Sequence, residues 1–182
     1  MNKIFTTINQ IDFLTWLWLF VIAFAFHEME EWKILRWYQR NYLDLPPSTN
    51  KAVRVWIVFV ILVGFVWCAA ATLPGDPVFA AFMFLPAVAV AIQNALQHVY
   101  WLFLFKQYAP GIITSVILLI PSGVYLAVRA VWQNFVPVWY LGFLFLLLIP
   151  GLVQTVQAKN RMTKQIRAIH HLGIKITELL ER

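Results

Sequence analysis

The chain has 182 residues, of which 62% are hydrophobic and 12% charged, with a net charge of +6. So few polar side chains cannot cover a globule in water, and a mean hydropathy of +0.73 agrees. One cysteine, Cys68, excludes an internal disulfide framework and a cysteine-based zinc finger.

A helix needs about 20 apolar residues to cross about 30 Å of hydrocarbon. Five uncharged runs approach or exceed that scale: Phe13 to Phe26, Val55 to Leu73, Val78 to Phe105, Ile112 to Val128 and Val138 to Ala158. They predict spans over 12–32, 53–73, 78–105, 112–129 and 138–158. The first run ends in His27-Glu28-Met29-Glu30-Glu31 without a small-residue cleavage site, so it reads as a retained span and not a signal peptide. Leu73-Pro74-Gly75-Asp76-Pro77 predicts a tight turn joining the second and third spans as a hairpin. Pro86, Pro121 and Pro150 lie inside or near three spans and read either as kinks that could open a cavity or, each taken singly, as ordinary packing. The expected fold is an all-α membrane protein, with a five-helix bundle over 1–158 and an amphipathic cytoplasmic helix over 159–182. In that tail Met162, Ile166, Ile169, Ile176 and Leu180 recur at helical spacing, which predicts a helix lying on the inner leaflet or capping the bundle. His170 and His171 read there as solvated neighbours.

The positive charge follows the loops. Five spans place twelve of the 14 Lys and Arg residues on one side and leave Lys3 and Arg129 on the other. That asymmetry predicts the cell membrane as location, the N-terminus outside and the C-terminus in the cytoplasm, and it argues against a nucleic-acid partner.

The rare acids are concentrated. Fourteen apolar residues from Phe13 to Phe26 cover only about 21 Å, so the helix must continue through His27 to Glu31 to span. A carboxylate at that depth is costly unless it is paired, protonated, bound to metal or facing water. Helical spacing puts His27, Glu30 and Glu31 on one face and turns Glu28 away. The third run carries Gln93, Asn94, Gln97 and His98 towards its cytoplasmic end, at the same level as His27. Two histidines and one or two glutamates from facing helices make a donor set for a divalent metal, zinc or iron. His27, His98, Glu30 and Glu31 are the candidate ligands, with Glu30 or Glu31 as general base when unligated. Asn94 is a second-sphere or substrate-binding candidate, and Tyr108 a proton donor or a headgroup anchor.

Three segments together resemble the HXXEE family of small membrane proteins: His27-Glu28-Met29-Glu30-Glu31, Asn94-Ala95-Leu96-Gln97-His98 as NxxxH, and Tyr108-Ala109-Pro110-Gly111 as YxPG. They fall in the family's order across roughly residues 20–125. The resemblance implies a multi-pass membrane protein suspected of metal-dependent or acid–base chemistry, with no settled substrate.

The leading expectation is therefore a membrane enzyme with a cytoplasm-facing metal site, hydrolysing a lipid or another amphiphile. Iron would point to oxidative lipid chemistry instead. The alternatives are a metal-free acid–base enzyme acting on an isoprenoid or lipid, a metal-binding or transport protein, and a structural protein whose acids pair with Lys33 and Arg36. One-sided polarity argues against a conduction path through a single chain, and a homo-oligomer is the arrangement that could supply one.

Overall fold

The computed structural model describes residues 10–181; Lys3 and Arg182 of the charge count lie outside the described residues. Helix α1 (Phe13–Glu30) passes through a 3₁₀ turn (Glu31–Lys33) into α2 (Ile34–Asn41). Helix α3 (Asn50–Thr72) and α4 (Pro77–Phe105) form the expected hairpin, followed by α5 (Ile112–Trp132), α6 (Val138–Ala158) and α7 (Lys164–Leu180). Among the described residues all regular structure is helical, and five helical stretches are long and apolar enough to cross a membrane.

Local chemistry sets the helix starts. Asp12 accepts from Thr15 N at 2.9 Å, Thr49 from Ala52 N at 3.1 Å, Asp76 from Val78 N at 2.9 Å and Thr163 from Ile166 N at 3.3 Å. Each satisfies an N–H that the first turn leaves unpaired, contributing about 1 kcal/mol. Gly111, which precedes α5, has no side chain to do this; its cap comes from another helix, described below.

The core is built where α1, α4 and α5 meet. Leu17, Phe20, Phe84, Leu119 and Leu126 are buried there, with Ala80, Ala81, Ala91 and Ala95 letting α4 approach its neighbours closely. Outward faces remain apolar: only 17% of the most hydrophobic window of α3 is buried.

Pro86 and Pro150 lie inside continuous helices, and Pro121 follows a π turn. Pro86 in α4 has no N–H to give the Phe82 carbonyl, and the Tyr140 phenol of α6 donates to that carbonyl at 2.9 Å. Trp67 Nε1 of α3 donates to the adjacent Met83 carbonyl at 2.8 Å. Ahead of Pro121, α5 widens into a π turn over Ser115–Leu119, with Ile120 N–H bonded back to Ser115 O.

Helix α7 caps one end of the bundle by packing along α3. Its inward face is Ile166, His170, Gly173 and Thr177, while Leu180 is exposed. Gly173 lies so close to α3 that a Cβ would stand 2.8 Å from the Ala52 carbonyl oxygen. Asp44 fastens the start of the helix, accepting from Met162 N at 2.8 Å and from Arg167 Nη2 at 2.6 Å. The Met162 N–H, followed by Arg167, holds the Asp44 carboxyl below the usual range.

The expectation of a solvated His170 is corrected. It is buried, with Nδ1 3.0 Å from Ser48 Oγ and its ring edge-on to Tyr38. The four-residue step from Ile166 places it on the apolar face, which a reading centred on isoleucines passed over. Burial, then the neighbouring His171, lowers its pKa from 6.5 to about 4. The neutral form is therefore the docked one. Docking of α7 is at full strength above pH 6.5 and weakens as the pH falls from 6.5 towards 4, because only the undocked state takes up the proton. Hydrogen exchange of the 164–180 amides should rise over that range and should not in His170→Gln, while Asp44 and Arg167 keep their pairing in both proteins.

Candidate metal centre

The site forms where the last turn of α1 meets the latter part of α4. His27 and Glu31 are four residues apart on α1 and its 3₁₀ extension, and His27 Nε2 lies 3.1 Å from Glu31 Oε1. His98 Nε2, from α4, lies 2.8 Å from the same oxygen. One donor atom from each of the three residues falls within 4.8 Å of the others. The imidazoles meet edge to face with centroids 5.0 Å apart, and both residues are at most 1% exposed. Trp101, one turn beyond His98, packs against its ring.

Short as these approaches are, Glu31 Oε1 and His98 Nε2 make no properly directed hydrogen bond. Buried polar atoms ordinarily find in-line partners. Lone pairs facing a common point are what ligation requires, and zinc with bonds of about 2.0–2.1 Å separates tetrahedral ligand atoms by about 3.3 Å. The 2.8 and 3.1 Å separations need to open by a few tenths of an ångström, and the two imidazole nitrogens, within 4.8 Å of each other, need to draw together. Two histidines and one carboxylate match the protein donors of catalytic zinc and equally those of non-haem iron.

Glu30 does not reach this point. Its Oε1 accepts from the Tyr108 hydroxyl at 2.6 Å and Ile113 N at 3.2 Å, and its Oε2 from Thr114 N at 2.9 Å and Thr114 Oγ1 at 2.6 Å. This is the missing cap of α5, a carboxylate from α1 on the N–H groups that Gly111 cannot serve. Tyr108, the other catalytic candidate, is held here as well. Burial and then the bond to Glu30 push its phenol up to about 12, so it remains a donor.

The cap also reaches His27. The single Thr114 hydroxyl proton goes to Glu30, so the same oxygen, 3.1 Å from His27 Nδ1, accepts the Nδ1 proton. Nδ1 protonation leaves the lone pair on Nε2, the nitrogen that faces Glu31. Ser115 Oγ stands 3.5 Å from the same Nδ1. Asn94 belongs to the site, its Nδ2 lying 3.3 Å from His27 Nε2.

Glu28 is the residue the spacing argument missed. On a helical wheel it lies about 60° from Glu31, whereas Glu30 lies about 100° away on the other side. The Glu31 N–H bonds to both the His27 and Glu28 carbonyls, and this tightening brings positions 28 and 31 further into line. Glu28 is accordingly buried and shares the wall of a cavity with Glu31, and Lys33 and Arg36 form no ion pair with these acids among the described residues.

That cavity, of about 830 Å³, runs between α1, α3, α4 and α6 and is closed at one end by α7. Phe20, Phe24, Gly64, Trp67 and Val90 form part of its apolar wall, Trp67 and Val90 on the exposed side, and Gln93, Asn94 and Gln97 line it as well. Helices α3 and α6 both line it and have no extended contact with each other, so the gap between them is a side opening.

Gly111 closes the site from the α5 side. It adopts φ +92°, and a Cβ there would lie 2.8 Å from His98 Cε1 and 2.9 Å from His27 Cε1. Trp37 Nε1 donates to the Tyr108 carbonyl at 2.9 Å and holds this turn in place.

No curated protein and no solved structure matches the chain. Residues 18–126 match the family described as a protein of unknown function with HXXEE motif. That stretch contains His27, Glu28, Glu30, Glu31, Asn94, His98, Tyr108, Gly111 and Thr114, and it ends before α6 and α7. The three segments singled out in the sequence thus converge on one centre, and the chain belongs to the HXXEE family.

Proposed function

We propose that this protein is an integral membrane enzyme that holds one divalent metal ion on His27, Glu31 and His98 and hydrolyses a lipid or other amphiphile entering from the bilayer. The observation that carries the reading is the convergence of three buried donor atoms, two of which lack a directed hydrogen bond. Bilayer residence is supported by the outward apolar faces, including Leu62, Val66, Ile117, Val124, Phe145 and Leu146. The distribution of Lys and Arg supports an N-terminus outside and a site facing the cytoplasm.

Zinc held by this donor set would supply Lewis acidity and a bound water with a pKa near 7. The chain's own residues do the rest. Asn94 offers its amide to substrate or to a ligand, and the Glu30–Thr114 pair keeps the His27 Nε2 lone pair available. Glu28 has no charged partner within hydrogen-bonding reach and lines the substrate cavity, so it is placed to take or return a proton as general base. A free carboxylate beside the centre favours hydrolysis over oxidative chemistry, which has no need of one.

Elemental analysis of protein purified without chelator tests the reading. About one equivalent of zinc per chain is expected. One equivalent of iron would shift the reaction to oxidation, and metal-free native protein would overturn the metal reading.

A further inference from the structure

The reading above leaves the amphiphile open, and the cavity wall narrows it. None of the twelve Lys and Arg side chains among the described residues lines the cavity, although Glu28 and Glu31 do. Arg54, on the cavity-lining helix α3, is turned away over the Trp32 ring. An anionic headgroup in such a site would meet two carboxylates and no counter-cation, and removing that charge from water is costly without pairing. A phosphate or carboxylate head would find no Lys or Arg side chain in this wall, among the described residues, to pair with. What the wall offers instead are the Glu28 carboxyl group and the side-chain amides of Gln93, Asn94 and Gln97, which both accept and donate hydrogen bonds, with His170 at the α7 end. Beyond them the wall is apolar and aromatic, and it opens sideways between α3 and α6. A volume of about 830 Å³ lies in the upper part of the range of about 300–1,000 Å³ typical of small-molecule sites.

We propose that the cavity takes a long-chain amphiphile whose head is uncharged or cationic and donates a hydrogen bond, of the alcohol, amide or amine class, and that it excludes phosphate-bearing lipids. The head faces Glu28 and the glutamine–asparagine row, and the chain lies along Phe24, Gly64, Trp67 and Val90 towards the side opening. This rests on the reading that Glu31 serves the metal, because that is what leaves Glu28 as the free carboxylate facing the head.

Three tryptophans in the wall, Trp56, Trp67 and Trp101, provide the readout. The full-length protein in phosphatidylcholine nanodiscs is titrated with dibromo-octadecanol, dibromo-octadecylamine and dibromo-octadecyl phosphate, bromine being a contact quencher of indole fluorescence. Saturable quenching is expected with the alcohol and the amine, and at least tenfold weaker apparent affinity with the phosphate. Gly64→Leu and Ala87→Leu, made separately, put bulk into the apolar part of the cavity and should each abolish the saturable component. Glu28→Gln replaces the nearest carboxyl group by an amide and should narrow the gap between phosphate and alcohol. Equal or tighter binding of the phosphate overturns the proposal, as does the absence of saturable quenching by both the alcohol and the amine. Metal is measured on the same samples: chain binding that excludes phosphate in metal-free protein overturns the metal reading alone, and one equivalent of metal with indiscriminate binding overturns this inference alone.

Discussion

His98→Ala should strip the metal from the purified protein, whereas Glu30→Gln should only weaken its hold. Four-ligand structural zinc sites bind with about 10–16 kcal/mol, so one ligand is worth about 3 kcal/mol, or more than a hundredfold in affinity. His98 contributes one of three donor atoms and is buried, so no exposed side chain can replace it. Glu30 stands one step further back. It accepts from Thr114, which in turn accepts the His27 Nδ1 proton, and residues at this remove change metal affinity by about 10–100-fold. Thr114→Val should match Glu30→Gln in affinity, and Thr114→Ser should restore most of it. Competition titration against a chromophoric chelator reads all four variants. If Glu30→Gln loses metal as completely as His98→Ala, Glu30 is a ligand after all and the Thr114 relay is wrong.

Gly111→Ala is expected to cost both the fold and the metal. At φ +92° a side chain adds about 1–2 kcal/mol of backbone strain. Its Cβ would also press on both imidazoles at 2.8–2.9 Å, overpacking that costs about 1–3 kcal/mol more. The combined loss, roughly 2–5 kcal/mol, falls on the two rings that must hold the ion. Gly75→Ala separates the two effects. Gly75 also has a positive φ, +72°, but nothing lies within 4 Å of its Cβ position. It should lower the thermal midpoint through strain alone and retain full metal content. Gly111→Asn makes the converse comparison, since asparagine tolerates left-handed backbone yet still brings a Cβ against the rings. Metal binding as tight as native in Gly111→Ala would mean that the rings move aside freely and that the turn does not hold the centre together.

What was legible in the sequence follows from how locally each feature is determined. An apolar run bounded by charge or proline forms a helix wherever it packs, so the five runs and the Leu73–Pro77 turn correspond closely to α1 and α3–α6. His27 and His98 could be placed together because both sit on long helices that run in the same direction. Individual carboxylates were harder. Glu28, Glu30 and Glu31 lie within one turn, and their partners are fixed by which neighbouring helix each side chain meets. Glu30 meets the start of α5 because Gly111 leaves N–H groups there unserved, a need created 81 positions along the chain that no spacing rule can express. The π turn at Ser115 was similarly hidden: Pro121 announces a break, but not that it would be absorbed as one extra residue next to the metal centre.

The borrowed cap also sets an order of assembly. His27, Glu31 and His98 are all synthesised before residues 111–115, so the donor atoms exist while the fourth hydrophobic span is still to be made. Until α5 docks, Glu30 has no N–H groups to accept from and Thr114 is not there to fix which nitrogen of His27 carries the proton. On the proposed metal reading, the centre would gain its full affinity only at a late step of assembly, and the nascent chain would be protected from capturing an ion in a half-built bundle.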